Sequence, residues 1–514
     1  MPLAPPLAPA APLPGEAVLA AILADARPEA AAPFIALAAA YFADAGAGRG
    51  AVNSGLAPAE LAARFDEPLP RGGRPLTDVA ARLARDVVPD ANRLSHPMSL
   101  GHQVAAPLPV AVWTENVVAA LNQSVAVQEM SPTGTAVEAR VIRWMADLAG
   151  FGPAAGGTFT SGGTEATFAA LLAARSRAVP DVWTAGLGAE PPVVVCGEHA
   201  HYAVTRAAGE MGLGTRNVVA VPSRDPAGGD FRIDARALAR TLGDLNASGR
   251  RVMAVVATAG STATGSFDEV AGVADACAAY GHWLHVDGAH GASALLSDAH
   301  HHRLRGLERA HSLAWDPHKM LLLPLAAGVV LVRDERWLDG AFAQAAPYLF
   351  TPRGASAADL ADAEEFDHAP PRGWDQGVRS FQCSRRADAL KLWVALQRHG
   401  ADGLGALYDR LCALAARLHA RLDAHPAFET LHAPESNILC FRRTAVSLGG
   451  LKDGEALDAA HAAVRARYNA SGAGWITTTV LGGRRVLRIT VMNPRTTDAH
   501  LAALVDGLAA TPAG

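Results

Sequence analysis

Arg251–His290 reads RVMAVVATAGSTATGSFDEVAGVADACAAYGHWLHVDGAH, with one apolar run at 251–259 and a second at 282–288. Between them a Gly/Ser/Thr-rich break leads into an Ala-rich stretch with helical spacing, Phe267 to Tyr280. A Val/Ala run with no alternating polar face suits a strand covered on both sides. Strand, helix and strand in that order form a βαβ unit, with a right-handed crossover and parallel strands. The alternation extends outward, to PVVVC (192–196) and NVVAVP (217–222) on one side and AGVVLVRD (327–334) on the other. A further helical pattern runs from Thr164 to Arg177. The expectation is an α/β fold with a mostly parallel central sheet.

Around this core the chain divides into three. Residues 1–14 are Pro/Ala-rich, and Ala/Leu-rich helical stretches follow them to Val88, giving an N-terminal arm and helical segment over 1–88. Residues 89–395 make the large domain. Within it, 347–380 loses all periodicity, and so long a structureless stretch reads as a mobile loop over a site. From 396 to 514 the pattern is helix, strand (NILCFRR), helix, strand (RRVLRITVMN), helix, a small α+β domain.

Composition narrows the function classes. Of 514 residues, 50% are hydrophobic and 18% charged, and mean hydropathy is +0.13, which supplies a large core and excludes a disordered chain. Fifty acidic against 45 basic side chains, a net charge of −5, give no footprint for nucleic acid. Five cysteines (Cys196, Cys277, Cys383, Cys412, Cys440) contain no CxxC pair, so a disulfide framework or structural zinc is not expected. They read as reduced thiols of a cytoplasmic protein. No Lys or Arg precedes Arg27, which argues against a secretory signal, and Met320–Val332, broken by Pro324 and Gly328, is too short to span a bilayer. His300, His301 and His302 diverge around one turn and read as a solvated bend, so no metal site is expected.

Four pieces carry chemistry. In GGTFTSGGTEATFAALLAAR, small residues at Gly162, Gly163 and Thr164 open a helix, whose free N–H groups and dipole favour a phosphate. In HWLHVDGAH, Asp287 closes a strand at the carboxyl edge of the sheet, where α/β folds bind ligands. In SLAWDPHKM, Lys319 lies among Trp315, Met320 and Leu321–Leu323, a setting that favours the neutral, nucleophilic amine. In GEHAHYAVTRAAGEMG, His201 follows the PVVVC strand. Each has an ordinary structural reading on its own. In chain order they supply a phosphate cup, a ring stacker, a carboxylate for a ring nitrogen and an amine for an aldehyde, the contacts that pyridoxal 5′-phosphate needs.

From Ser95 to about Ala395 the chain resembles the group II amino-acid decarboxylases, which use pyridoxal phosphate on the type I, aspartate-aminotransferase-like fold. The resemblance rests on TSGGTEAT, HAHYAVTRAA, VVATAGSTATGSFDE, WLHVDGAHG, ERAHSLAWDPHKM and QCSRRADALKLW, and continues in ESNILCFR and LRITVMNP. It implies that Lys319 holds the cofactor as a Schiff base, Asp287 keeps the pyridine nitrogen protonated, and His201 stacks on the ring and assists proton transfer. It implies that Gly163, Thr164 and His318 line the phosphate with Asp316 nearby, and that Thr262 and Ala289 touch the ring. It places Arg488 at the substrate α-carboxylate and His96, His102 and Gln103 in the substrate pocket. The implied activity is α-decarboxylation of an L-amino acid to the amine and carbon dioxide, by a homodimer with its active site at the interface.

Two departures matter. The family's mobile loop carries a tyrosine that reprotonates Cα, and between Tyr348 and Tyr408 this chain has none; Phe366, His368 and Trp374 are available, and His368 is the candidate acid. Asp316 stands where many relatives carry Asn, adding negative charge near the phosphate. The missing tyrosine keeps open an aldehyde-forming oxidase, beside a carbon–carbon lyase on the same fold. A non-catalytic binding protein is a third reading, against which the intact Lys319, Asp287 and His201 speak.

Overall fold

The apolar runs become strands because their β-branched side chains pack on both faces of one sheet. The computed structural model describes residues 16–342, 375–451 and 454–513. In chain order the strands are β1 (Gly156–Thr160), β2 (Val193–Gly197), β3 (Val218–Val221), β4 (Ser223–Asp225), β5 (Asp230–Ile233), β6 (Val252–Thr258), β7 (Trp283–Asp287), β8 (Ser312–Trp315), β9 (Gly328–Val332), β10 (Phe428–Thr430), β11 (Ile438–Arg443), β12 (Thr477–Leu481) and β13 (Arg484–Thr490). The central sheet has seven strands in the order β1-β9-β8-β7-β6-β2-β3, and β6 to β9 are buried along their whole length.

The parallel βαβ expectation holds for β2, β3, β6, β7 and β8, which pair parallel. β9 runs antiparallel to both β8 and β1. The cause is local: Asp316–Ala327 joins β8 to β9 without a crossover helix, so the chain turns back on itself. The helix expected over Phe267–Tyr280 is shorter, Val270–Ala278. Its first expected turn is diverted, because Phe267 bridges to Ala259 and the Asp268 carboxylate accepts the N–H groups of Ile233 and Thr258, each at 2.7 Å.

The C-terminal part carries an antiparallel sheet, β10-β11-β13-β12. The sequence pattern showed β11 and β13 but not the short β10, nor β12, which joins β13 through Gly482-Gly483 with φ of 54° and 74°. Those angles are what a tight hairpin between twisted strands requires. The helix Ala389–Asp423 links the large part to this sheet and breaks at Gly400 (φ 71°, ψ 167°), so the expected division after residue 395 falls within its first half. At the N-terminus, the helix Glu16–Asp25 leaves Val18, Leu19, Ile22 and Leu23 more than half exposed. No helix among the described residues is long and apolar enough to cross a membrane.

Candidate active site

The parallel strands end together at one edge of the sheet, and the segments after β1, β2, β6, β7 and β8 enclose a cavity of about 310 Å³. They bring to it Gly163 and Thr164, His201, Thr262, Asp287 and Ala289, and Asp316, His318 and Lys319 in turn. Residues spread over more than 150 positions of sequence therefore meet because each lies within a few residues of a strand's carboxyl end.

Asp316 is the hub of one wall. It is 1% exposed, and its Oδ2 accepts the N–H of Gly163 at 2.9 Å, the first N–H of the helix Gly163–Ala178. The same oxygen lies 3.1 Å from Lys319 Nζ and 3.4 Å from His318 Nε2. His318 Nδ1 accepts the Ala327 N–H at 3.1 Å, which leaves the ring proton on Nε2, facing Asp316. Burial pushes the His318 imidazole below its ordinary pKa, with the Asp316 charge pulling the other way. Lys319 thus has a carboxylate partner, where the sequence surrounded it with apolar neighbours. Gly163 must be glycine: a Cβ there would meet Ala289 Cβ at 2.7 Å and Asp316 Oδ2 at 2.9 Å.

In the same cavity, Asp287 Oδ1 accepts the Ala289 N–H at 3.2 Å. His201 Nδ1 accepts the Ala203 N–H at 3.3 Å, and burial pushes its imidazole down despite the nearby Asp287 charge. His290 also lines the cavity, a position for which the sequence offered no reason. Its Nε2 lies 2.6 Å from Asn437 Oδ1, while Asn437 Nδ2 donates to Val491 O at 2.8 Å. That amide orientation makes Nε2 the donor, so Asn437 ties the turn after β7 to the segment after β13. Burial, then the Lys319 charge, push His290 down to about 3.

Of the expected substrate residues, Arg488 and the 101–103 segment meet. Arg488, 4% exposed in β13, donates from Nε to Ala263 O at 3.2 Å and from Nη1 to Gly101 O at 3.3 Å. No acidic side chain among the described residues pairs with it, Nη2 is buried without a partner, and burial lowers its pKa. Its charge reaches both His102 and His290 and lowers each. His102 packs edge-on against Trp475, and Gln103 Nε2 is buried without a partner. His96 lies elsewhere: it faces Gly48, after the helix Pro28–Gly46, and its Nδ1 accepts the Met98 N–H at 3.0 Å. His368 lies outside the described residues, with Phe366, Trp374 and all of 347–374.

Residues 58–444 match the family described as "Pyridoxal-dependent decarboxylase conserved domain". The chain belongs to this pyridoxal-dependent decarboxylase family.

It is 36% identical to L-2,4-diaminobutyrate decarboxylase of Rhizobium meliloti (strain 1021) over 453 residues, 87% of this chain and 84% of that protein. It is 32% identical to cysteine sulfinic acid decarboxylase of Rattus norvegicus over 77% of each chain. The crystal structure of mouse CSAD superimposes with a TM-score of 0.83 at 28% identity, covering 94% of this chain and 98% of that one. The protein is a pyridoxal-phosphate-dependent carboxy-lyase of amino acids, on the type I fold. The cavity suits such a group: a helix N-terminus stripped of side chain at Gly163, the Asp287 carboxylate and the Lys319 amine all line it. The chain contains three lysines, Lys319, Lys391 and Lys452, and only Lys319 lines this cavity among the described residues.

Other members of the decarboxylase motifs prove to be braces. Lys391, wholly buried, donates to Glu115 at 2.7 Å and to Ala326 O at 2.6 Å, holding the turn that carries Leu325 to the cavity rim. Gln382 donates to Glu165 at 2.7 Å, and Glu165 accepts the Ser161 N–H at 2.9 Å, tying QCSRR to TSGGTEAT. Arg385 and Arg386 both pair within the chain. Arg385 forms a buried pair with Glu138 at 2.6 and 2.9 Å, and Arg386 pairs with Glu115. These partners lie far off in sequence, where no local pattern reveals them. His300 packs on Tyr408, and Trp315 is buried, donating to Ser293 at 2.9 Å. Burial pushes the thiols of Cys196, Cys277, Cys412 and Cys440 up to about 12, which leaves them inert.

Proposed function

We propose that this enzyme removes the α-carboxylate of a small L-amino acid with an acidic or amino side chain, giving the amine and carbon dioxide, with Lys319 as the residue that carries the cofactor. The observation that carries the reading is the convergence of Lys319, Asp287, His201 and the Gly163 helix N-terminus on one cavity. When bound, pyridoxal phosphate supplies an electron sink conjugated to the substrate Cα. Gly163, Thr164 and His318 hold the phosphate through N–H donors, and Thr262 and Ala289 border the ring. Asp287 holds a proton on the pyridine nitrogen. His201, kept neutral by burial, would face the ring and could pass a proton. Arg488, whose Nη2 has no partner, takes the substrate carboxylate and fixes the breaking bond, with His102 and Gln103 beside it. Lys319 Nζ, when free, would be the amine that moves protons at the substrate Cα.

The active unit is a homodimer with its site at the subunit interface, in the cytoplasm. The exposed stripe Val18, Leu19, Ile22 and Leu23 supports the dimer, since an apolar helix face of this kind is normally covered. Relatives acting on diaminobutyrate and on cysteine sulfinate support the substrate range. The test is carbon dioxide release from glutamate, aspartate, cysteine sulfinate, 2,4-diaminobutyrate, tyrosine and DOPA, with hydrogen peroxide and ammonia measured alongside. Carbon dioxide with a stoichiometric amine supports decarboxylation. Peroxide and ammonia in equal amounts would replace it with the aldehyde-forming oxidase.

A further inference from the structure

Asp316 takes donors that the phosphate also needs. Its Oδ2 accepts the Gly163 N–H at 2.9 Å and faces His318 Nε2 at 3.4 Å, and its ring-proton partner is fixed there by the Ala327 N–H on Nδ1. Lys319 Nζ, 3.1 Å away, is the third cation or donor on this oxygen. The other oxygen, Oδ1, is buried with no partner among the described residues. A side chain 1% exposed cannot turn outward to water to make room for another anion. Where the helix dipole and the first N–H groups attract a phosphate, this carboxylate already draws on them and adds charge of the same sign.

We propose that Asp316 is a positioning residue that limits cofactor affinity: it holds Lys319, His318 and the helix N-terminus in register, and it competes with the phosphate for Gly163 and His318. The proposal rests on the phosphate lying at Gly163 and His318. A carboxylate in the cup makes the cofactor exchangeable, so that the fraction of loaded enzyme follows the cofactor supply.

The test is calorimetric binding of pyridoxamine 5′-phosphate and of pyridoxamine to the full-length chain stripped of cofactor. Neither ligand has an aldehyde, so Lys319 forms no bond to it. Asp316→Asn is expected to tighten pyridoxamine 5′-phosphate about tenfold and to leave pyridoxamine within about twofold. Asp316→Ala, a second charge-free variant should the asparagine fold poorly, tightens the phosphate ligand too, and Asp316→Glu does not. Asparagine and alanine variants that bind the phosphate ligand no better than the wild type overturn the proposal, as does an equal change for both ligands. If wild type binds the two ligands equally, the phosphate placement itself fails, a result distinct from failure of Asp316's role.

Discussion

The cavity and the surroundings of Arg488 are built differently. In the cavity, proposed to hold the cofactor, Gly163, His201, Asp287 and Lys319 each lie at the end of a strand of one sheet or a few residues beyond it, so backbone geometry alone brings them together. Around Arg488, the residue proposed to take the substrate carboxylate, the chain comes from the C-terminal sheet and the irregular segment Gly101 to Gln103, and carbonyl groups rather than acids hold the guanidinium. On the proposed assignment, the sheet edge carries the chemistry and the seam around Arg488 selects what is admitted. Changes on the first side should therefore act on turnover, and changes on the second on recognition.

The largest effect is expected from Lys319→Ala, which should lower turnover by at least about a thousandfold and abolish the visible absorbance of the holoenzyme. Spectra and carbon dioxide release check it together, and a pigmented, active variant would break the cofactor side of the comparison. Asp287→Asn comes next, with kcat down about a hundredfold or more while cofactor stays bound, because the charge that holds the ring nitrogen protonated is gone. Retained kcat would mean that another group does this work. Arg488→Gln sharpens the contrast: KM should rise about tenfold to a hundredfold, with a smaller change in kcat. A pure kcat effect would move Arg488 to the other side.

His290 and Asn437 join the two sides and give the smallest, pH-dependent effect. Burial pushes His290 down to about 3 and His285, His311 and His432 to about 4. The unfolded chain protonates each near 6.5, the native chain far lower, so stability present above about pH 6.5 is lost as pH falls toward 4 and 3. Each contributes a slope of about 1.4 kcal/mol per pH unit within that window. Asp268, pushed up to about 6, opposes them: its term favours the fold at low pH and is lost as pH rises from about 4 to about 6. Four histidines outweigh one carboxyl, so urea midpoints should fall steadily from pH 6.5 to 4.5, less steeply in His290→Phe. A flat profile would contradict the buried, neutral state of these rings.

That Gly163, His201, Asp287 and Lys319 would meet was legible because they sit in short motifs beside strand ends. Local periodicity placed Lys319, Asp287 and Gly163 beside strand ends, while their roles came from the motifs taken together and from the family resemblance. What was not legible depended on contacts across long separations. Asp316 reaches Gly163 over 153 residues, His290 reaches Asn437 over 147, and Arg385 reaches Glu138 over 247. The reversal of β9 was hidden because its Val-rich run reads alike in either direction. His96 lies in the same motif as His102 yet turns toward Gly48, since a loop's side-chain directions follow no period.

The most direct test of the account is to reduce the holoenzyme with borohydride, digest it and locate the phosphopyridoxyl mass. With three lysines in the chain the answer is unambiguous: the label should lie on the peptide containing Lys319. Label on Lys391 or Lys452, or none on any lysine of an active enzyme, would contradict it.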